Sequence, residues 1–144
     1  MNPHYELLSR LYINAPVNIP LNPSISIEEG QCTIEMETGI NFHHAAGGTH
    51  GAILFKLLDD AAFFAANSVQ KEFFLLTLNF NINYVRPAIN GRLTAKGKLK
   101  TVTKQYLTAE AEVFNHQGKL CAFGSGTFAV SKLMLSEMNP KTNY

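Results

Sequence analysis

Residues 43–67 read His43-His44-Ala45-Ala46-Gly47-Gly48-Thr49-His50-Gly51-Ala52, then Ile53-Leu54-Phe55-Lys56-Leu57-Leu58-Asp59-Asp60-Ala61-Ala62-Phe63-Phe64-Ala65-Ala66-Asn67. A Gly-rich loop with three histidines opens a stretch that is apolar almost all the way round at helical spacing. A helix without a polar face belongs in a core. This one carries two adjacent carboxylates in its middle, although Asp is a poor helix-interior residue and is costly to bury unpaired. Local rules broken in this way point to a functional site. The stretch predicts one buried helix over about 49–67 with chemistry on it.

The flanks supply what buries that helix. Upstream, Pro3 and the spacing of Leu7, Leu8, Leu11 and Tyr12 predict a short amphipathic helix over 3–14, since Pro is favourable at a first helical position. Residues 24–28 and 31–38 read as strands joined at Glu29-Gly30, the second alternating Cys32, Ile34 and Met36 against Thr33, Glu35 and Glu37. Downstream come strands over 73–85, 92–102, 106–115 and 119–130. In the first of these, Leu76, Leu78, Phe80, Ile82 and Tyr84 are expected on one face, and Thr77 with the asparagines on the other. Arg86-Pro87 ends that strand, because Pro cannot join a central ladder. The order predicts an α+β class in which one antiparallel sheet wraps a single central helix, the hotdog arrangement.

The chain has 144 residues, 46% of them hydrophobic and 16% charged, with a net charge of +1. Such a length suits one domain spanning 1–144, with its core over about 24–130 and a frayed polar tail over 131–144. No basic run exists to track a nucleic acid. Cys32 and Cys121 lie far apart without metal-type spacing and read as buried thiols of a reducing compartment. No apolar run reaches membrane-spanning length, and no signal-peptide pattern opens the chain. These features lead to the expectation of a cytoplasmic protein with neither a nucleic-acid nor a membrane partner.

His50 and Asp59 are nine residues apart. On a helix that is about 180° net of rotation and roughly 13 Å of rise, so the two cannot meet within one chain. If they cooperate, they do so across a two-fold dimer with two composite sites. Lys56 and Asp60 are spaced i, i+4 and are expected to pair on a face shared with Asn67. Asp59 is i+3 from Lys56, so spacing does not separate the two carboxylates cleanly. Asp59 is the favoured chemical residue and Asp60 the structural or solvated one. A buried carboxylate with few partners has a raised pKa, as a general base needs.

Gly47, Gly48 and Gly51 permit close backbone approach. The leading N–H groups of the helix are free to hold an oxyanion, although a tight turn alone explains the glycines. For His50 a structural hydrogen bond and a substrate contact stay open. His43, His44 and His50 do not make a zinc pattern, and no metal is expected. Gly124-Ser125-Gly126 lies in a strand rather than at a nucleophile elbow. Phe63, Phe64, Phe73 and Phe74 are candidates for an acyl tunnel, with core packing the commoner role for such residues. Arg86, Arg92, Lys98 and Lys104 are the cations available to phosphates, solvation being the default for each.

The motifs resemble those of the hotdog-fold acyl-CoA thioesterases of the phenylacetic-acid-degradation (PaaI) type. Gly47, His50, Gly51, Leu57 and Asp59 fall in register with that family's loop-and-helix pattern. Tyr84-Val85-Arg86-Pro87-Ala88 with Gly91, and Gly118 to Phe128, are similar to its later strands. The resemblance covers about 30–130. It implies hydrolysis of an acyl-CoA thioester with Asp59 as nucleophile or general base. The partner chain's Gly51 N–H would polarise the carbonyl, His50 would hold the acyl or thiol end, and Thr77 would orient the water. His44, Gly48, Ala52, Asp60 and Arg86 would contact substrate. No cofactor is implied, coenzyme A being part of the substrate, and the assembly would be a dimer or dimer of dimers with its sites at the subunit interface. Two positions depart from the family: His44 stands where it has Asn, and Ala52 replaces a second Gly. These departures sustain the alternative of a non-catalytic acyl-CoA- or lipid-binding protein. A hydroxyacyl-thioester dehydratase is the more remote alternative, its His and acid arrangement being absent.

Overall fold

A computed structural model describes residues 2–140. Helix α1 (Pro3–Asn14) starts where the Asn2 side chain accepts from the His4 N–H at 2.9 Å and buries Leu8 and Tyr12. A single 3-10 turn, Pro16–Asn18, follows it. Strands β1 (Ser24–Glu28) and β2 (Gln31–Thr38) form a hairpin whose turn residue Gly30 has φ +72°, a conformation glycine adopts freely. Helix α2 (Gly51–Asn67) comes next, and then β3 (Phe73–Tyr84), β4 (Gly91–Val102), β5 (Tyr106–Phe114) and β6 (Leu120–Met134). All pairings are antiparallel, in the order β1-β2-β4-β5-β6-β3. This is the α+β hotdog expected from the sequence.

Small residues let α2 sit down on the sheet. Ala61, Ala62, Ala65 and Ala66 are fully buried. A Cβ added at Gly97 of β4 would come within 2.0 Å of the Ala61 carbonyl oxygen, so the strand and helix backbones meet there. Gly124 and Gly126 of β6 likewise leave room for the Phe80 ring, which fixes that segment as a packed strand.

Four local expectations change. Helix α2 starts at Gly51 rather than 49, because His50 is its N-cap. Asn67 lies on the same helix face as Lys56 and Asp60 but takes no part in their pair. It is fully buried and locks the helix end, donating to the carbonyls of Gln70 and Phe73 and accepting from the Leu75 N–H. The tail is not frayed from 131: β6 runs on to Met134 because it pairs with Phe73, and Leu135 is buried beyond it. Residues 141–144 of that tail lie outside the described residues.

The fourth change concerns β3. Its register against β6 shifts between Thr77 and Asn79, so Leu78 is an extra residue in the ladder. A bulge of this kind turns the strand and re-aims its side chains. Before it, Leu75 and Thr77 face the helix; after it, Phe80 and Ile82 do. Leu76 and Leu78, expected inside, are 49% and 56% exposed.

Candidate active site

The Leu78 bulge carries Thr77 to the helix side of the sheet. There its hydroxyl donates to Asp59 Oδ1 at 3.0 Å. Asp59 and Thr77 stand on the wall of a cavity of about 560 Å³ between α2, β3 and α1. Burial pushes the Asp59 carboxyl above its ordinary value; the Thr77 hydrogen bond and Lys56 pull it down, while neighbouring Asp60 pushes it up. Desolvation wins because the one direct hydrogen bond comes from a neutral hydroxyl.

The carboxylates separate by their partners. Asp60 is tied on both sides, by Lys56 one turn earlier and by the Tyr12 hydroxyl of α1 at 2.9 Å. Tyr12 is itself buried, and desolvation followed by the Asp60 charge pushes its phenol well up, so it stays a donor. Among the described residues Asp59 makes no such ion pair, and it turns to Thr77. Asp60 shares the cavity wall with Asp59 but is engaged in structure. Tyr12 is the neighbour that sequence reasoning placed only in a helix core; no local pattern announces a contact 48 residues away in the chain.

The start of α2 forms a second, separate place. The loop is folded by His44, whose N–H donates to the Gly48 carbonyl at 2.8 Å and whose Nδ1 accepts from the Ala46 N–H at 3.0 Å. A Cβ at Gly48 would stand 3.0 Å from His44 Nε2, so Gly48 makes room for that ring. His50 has φ −59° and ψ 137°, and its Nδ1 accepts from the Ala52 N–H at 2.9 Å. Its carbonyl takes the Ile53 N–H. Among the described residues the Gly51 N–H, first of the helix, has no such partner. His44, Gly51, Tyr84 and Arg86 line a cavity of about 440 Å³ at this end. Tyr84 donates from its hydroxyl to the Gly51 carbonyl at 3.0 Å, and a Cβ at Gly51 would lie 3.0 Å from its ring. The Tyr84-Val85-Arg86-Pro87 motif was the signal for Tyr84.

The two cavity linings share no residue. The fold therefore joins Asp59, Thr77 and Asp60 in one place, and His44, Gly51 and Arg86 in the other. His50, Gly48 and Ala52 line neither; the first two shape the loop, and Ala52 donates to the cap. Arg86 donates to the Leu120 carbonyl at 3.2 Å. Arg92 is held by Glu35 and Glu37 on the outer face of the sheet. Phe63, Phe64 and Phe74 line the larger cavity and Phe73 does not. His43 bonds Asn90 at 2.6 Å, so the loop histidines have separate partners, and among the described residues no group of three potential metal ligands forms. No helix among them is long and apolar enough to cross a membrane.

A buried helix carrying a carboxylate bonded to a strand hydroxyl, a sheet that wraps it, and an open N–H at its start define a thioesterase-type hotdog. The chain belongs to the thioesterase superfamily, whose family model matches residues 46–122. It is similar in structure to the E. coli PaaI protein from the phenylacetic acid degradation operon, with a TM-score of 0.83 and 25% identity, covering 91% of this chain and 95% of that one. It is also similar to a conserved Pseudomonas aeruginosa protein, PA5202 (TM-score 0.76, 26% identity, 81% of this chain and 94% of that one). A Sulfurisphaera tokodaii protein named "Putative esterase" is 30% identical over 101 residues, 69% of this chain and 74% of that protein. Family membership makes the chain a hydrolase of the thioester class.

Proposed function

We propose that the protein hydrolyses acyl-CoA thioesters, with Asp59 as the general base. The observation that carries this reading is the placement of Asp59, bonded to Thr77 at 3.0 Å and raised in pKa, on the wall of a mostly apolar cavity. A base of raised pKa takes a proton well near neutral pH. In the proposed step Asp59 removes a proton from a water that Thr77 helps to orient. The water oxygen bonds the thioester carbon, the carbonyl oxygen gains the negative charge, and the Gly51 N–H holds it. The C–S bond then breaks, and the CoA sulfur leaves with the proton Asp59 took.

Asp59 and Gly51 occupy different cavities of one chain, so this step needs a partner chain. Strand β3 is a 12-residue sheet edge with Leu76 and Leu78 exposed along it. A long apolar edge is covered in a native protein. A second copy meeting β3 would give two sites, each with Asp59 of one chain and Gly51 of the other. Arg86, beside Gly51, suits a CoA phosphate, and His50 keeps Nε2 for a substrate contact. No cofactor enters. Two buried free cysteines, Cys32 and Cys121, agree with a cytoplasmic protein.

The test is thiol release from short, medium, long and aromatic acyl-CoAs by wild type and Asp59→Asn. Turnover that is lost in the variant is expected. Saturable binding of CoA esters with no turnover on any of them would instead favour a binding protein.

A further inference from the structure

Eight of the 17 residues that line the larger cavity lie outside the family match. Residues 46–122 contribute the reacting end: Asp59 and Thr77 with Lys56 and Asp60. Another wall is made by Leu11, Ala15 and Val17, at the end of α1 and the 3-10 turn, and by Met138 after β6. The wall is docked. Tyr12 donates to Asp60, His4 Nε2 bonds the Asn67 carbonyl at 2.9 Å, and Asn18 Nδ2 donates to the Tyr12 carbonyl at 2.8 Å. The Tyr12 ring meets Phe64 edge-on with centroids 5.2 Å apart.

The charge distribution in the cavity is one-sided. Its charged lining groups, Lys56, Asp59 and Asp60, all come from one turn of α2. Away from that turn the lining is uncharged and mostly apolar, with Leu11, Val17, Phe63, Phe64, Phe74 and Met138 beside the polar Asn18, Thr77 and Asn139. An apolar chain gains by entering such a space, and a charged end loses its hydration there.

We infer that the α1 wall, to which Leu11 belongs, sets which acyl chains the site accepts: uncharged, apolar chains whose length that wall limits. This inference rests on the thioester reading above, and it makes Leu11 a specificity-determining residue. Each methylene that the cavity buries contributes about fourfold to affinity.

The experiment compares wild type, Leu11→Trp and Leu11→Ala on butyryl-, octanoyl- and dodecanoyl-CoA and on an ω-carboxylated octanoyl-CoA. In parallel, binding of butyl-, octyl- and dodecyl-CoA thioethers is measured, since these have no scissile bond. Leu11→Trp should lower the dodecanoyl-to-butyryl ratio of kcat/KM by about tenfold or more, a few methylenes' worth of contact. Leu11→Ala, a milder change at a half-buried position, should raise it. The thioether affinities should follow the same order, and the ω-carboxylated substrate should be the poorest of its length. Chain-length profiles unchanged in both variants would overturn the inference. Thioether affinities that respond to Leu11 without any wild-type hydrolysis would keep the wall and remove the thioesterase reading. No thioether binding together with no hydrolysis would remove both.

Discussion

The Thr77 hydroxyl donates to Asp59 Oδ1 at 3.0 Å, across the gap between β3 and α2. The bond favours the charged form of a carboxyl that burial otherwise raises. Removing it in Thr77→Ala leaves desolvation and the Asp60 charge less opposed, so the Asp59 pKa rises. A base must be deprotonated to act, so the acidic limb of the kcat/KM profile moves to higher pH. Near neutral pH the rate falls roughly ten- to hundredfold, the weight of a hydrogen bond to a charged group. Thr77→Ser should restore both rate and limb. An unmoved limb in Thr77→Ala would separate Thr77 from the chemistry.

Why the sequence did not place Thr77 correctly is a matter of period. Alternation over 73–85 puts Leu76, Leu78 and Phe80 on one face, and a single extra residue reverses the two halves. The bulge at Leu78 carries no Gly or Pro to announce it. Asp59, by contrast, was readable, because a carboxylate within an apolar helix violates local preference wherever the helix packs. The loop was readable in outline: the glycines follow from backbone rules, whereas the cap at His50 and the His44 ring over Gly48 do not. Tyr12 to Asp60 was out of reach, since neither residue breaks a local rule and the contact arises only when α1 docks.

Asp59→Asn separates stability from activity. The folded-state pKa of Asp59 is raised above that of an unfolded Asp. Below the unfolded value both states are protonated and Asp59 has no effect on stability. As pH climbs past it the unfolded chain ionises first, so the folded state loses stability until the folded pKa is passed. A neutral Asn escapes that loss and still accepts from Thr77. At neutral pH the variant should therefore melt at or above the wild-type Tm, with the gap closing in acid, while activity falls by on the order of a hundredfold or more. Thermal melts across pH beside turnover check this. A Tm well below wild type at neutral pH contradicts it.

Gly51 allows a direct test of the oxyanion donor. Position 51 is the first of the helix, where Pro is tolerated, and His50 at φ −59° and ψ 137° already has the extended conformation that precedes Pro. Ala and Pro both place a Cβ about where Tyr84 lies, 3.0 Å away, so both move that 53%-exposed ring alike. Only Pro deletes the N–H. Gly51→Pro should then fall below Gly51→Ala by about a hundredfold or more in kcat, the usual loss on removing one such donor. Equal kcat values would take the Gly51 N–H out of the mechanism.

The two variants together examine the shared site. In a mixed dimer of Asp59→Asn and Gly51→Pro chains, one site combines both lesions. The other combines the intact Gly51 of the first chain with the intact Asp59 of the second. If each site draws one residue from each chain, the mixed dimer has half the wild-type sites, and random pairing at equal amounts makes half the dimers mixed. Two inactive preparations, unfolded and refolded together, should then recover about one quarter of wild-type activity. Refolded separately, each should recover none. The linings of the two cavities predict this sign, because Asp59 and Gly51 line no common space in one chain. A mixture that stays inactive although native mass measurement shows mixed dimers would mean that both groups serve a site within one chain.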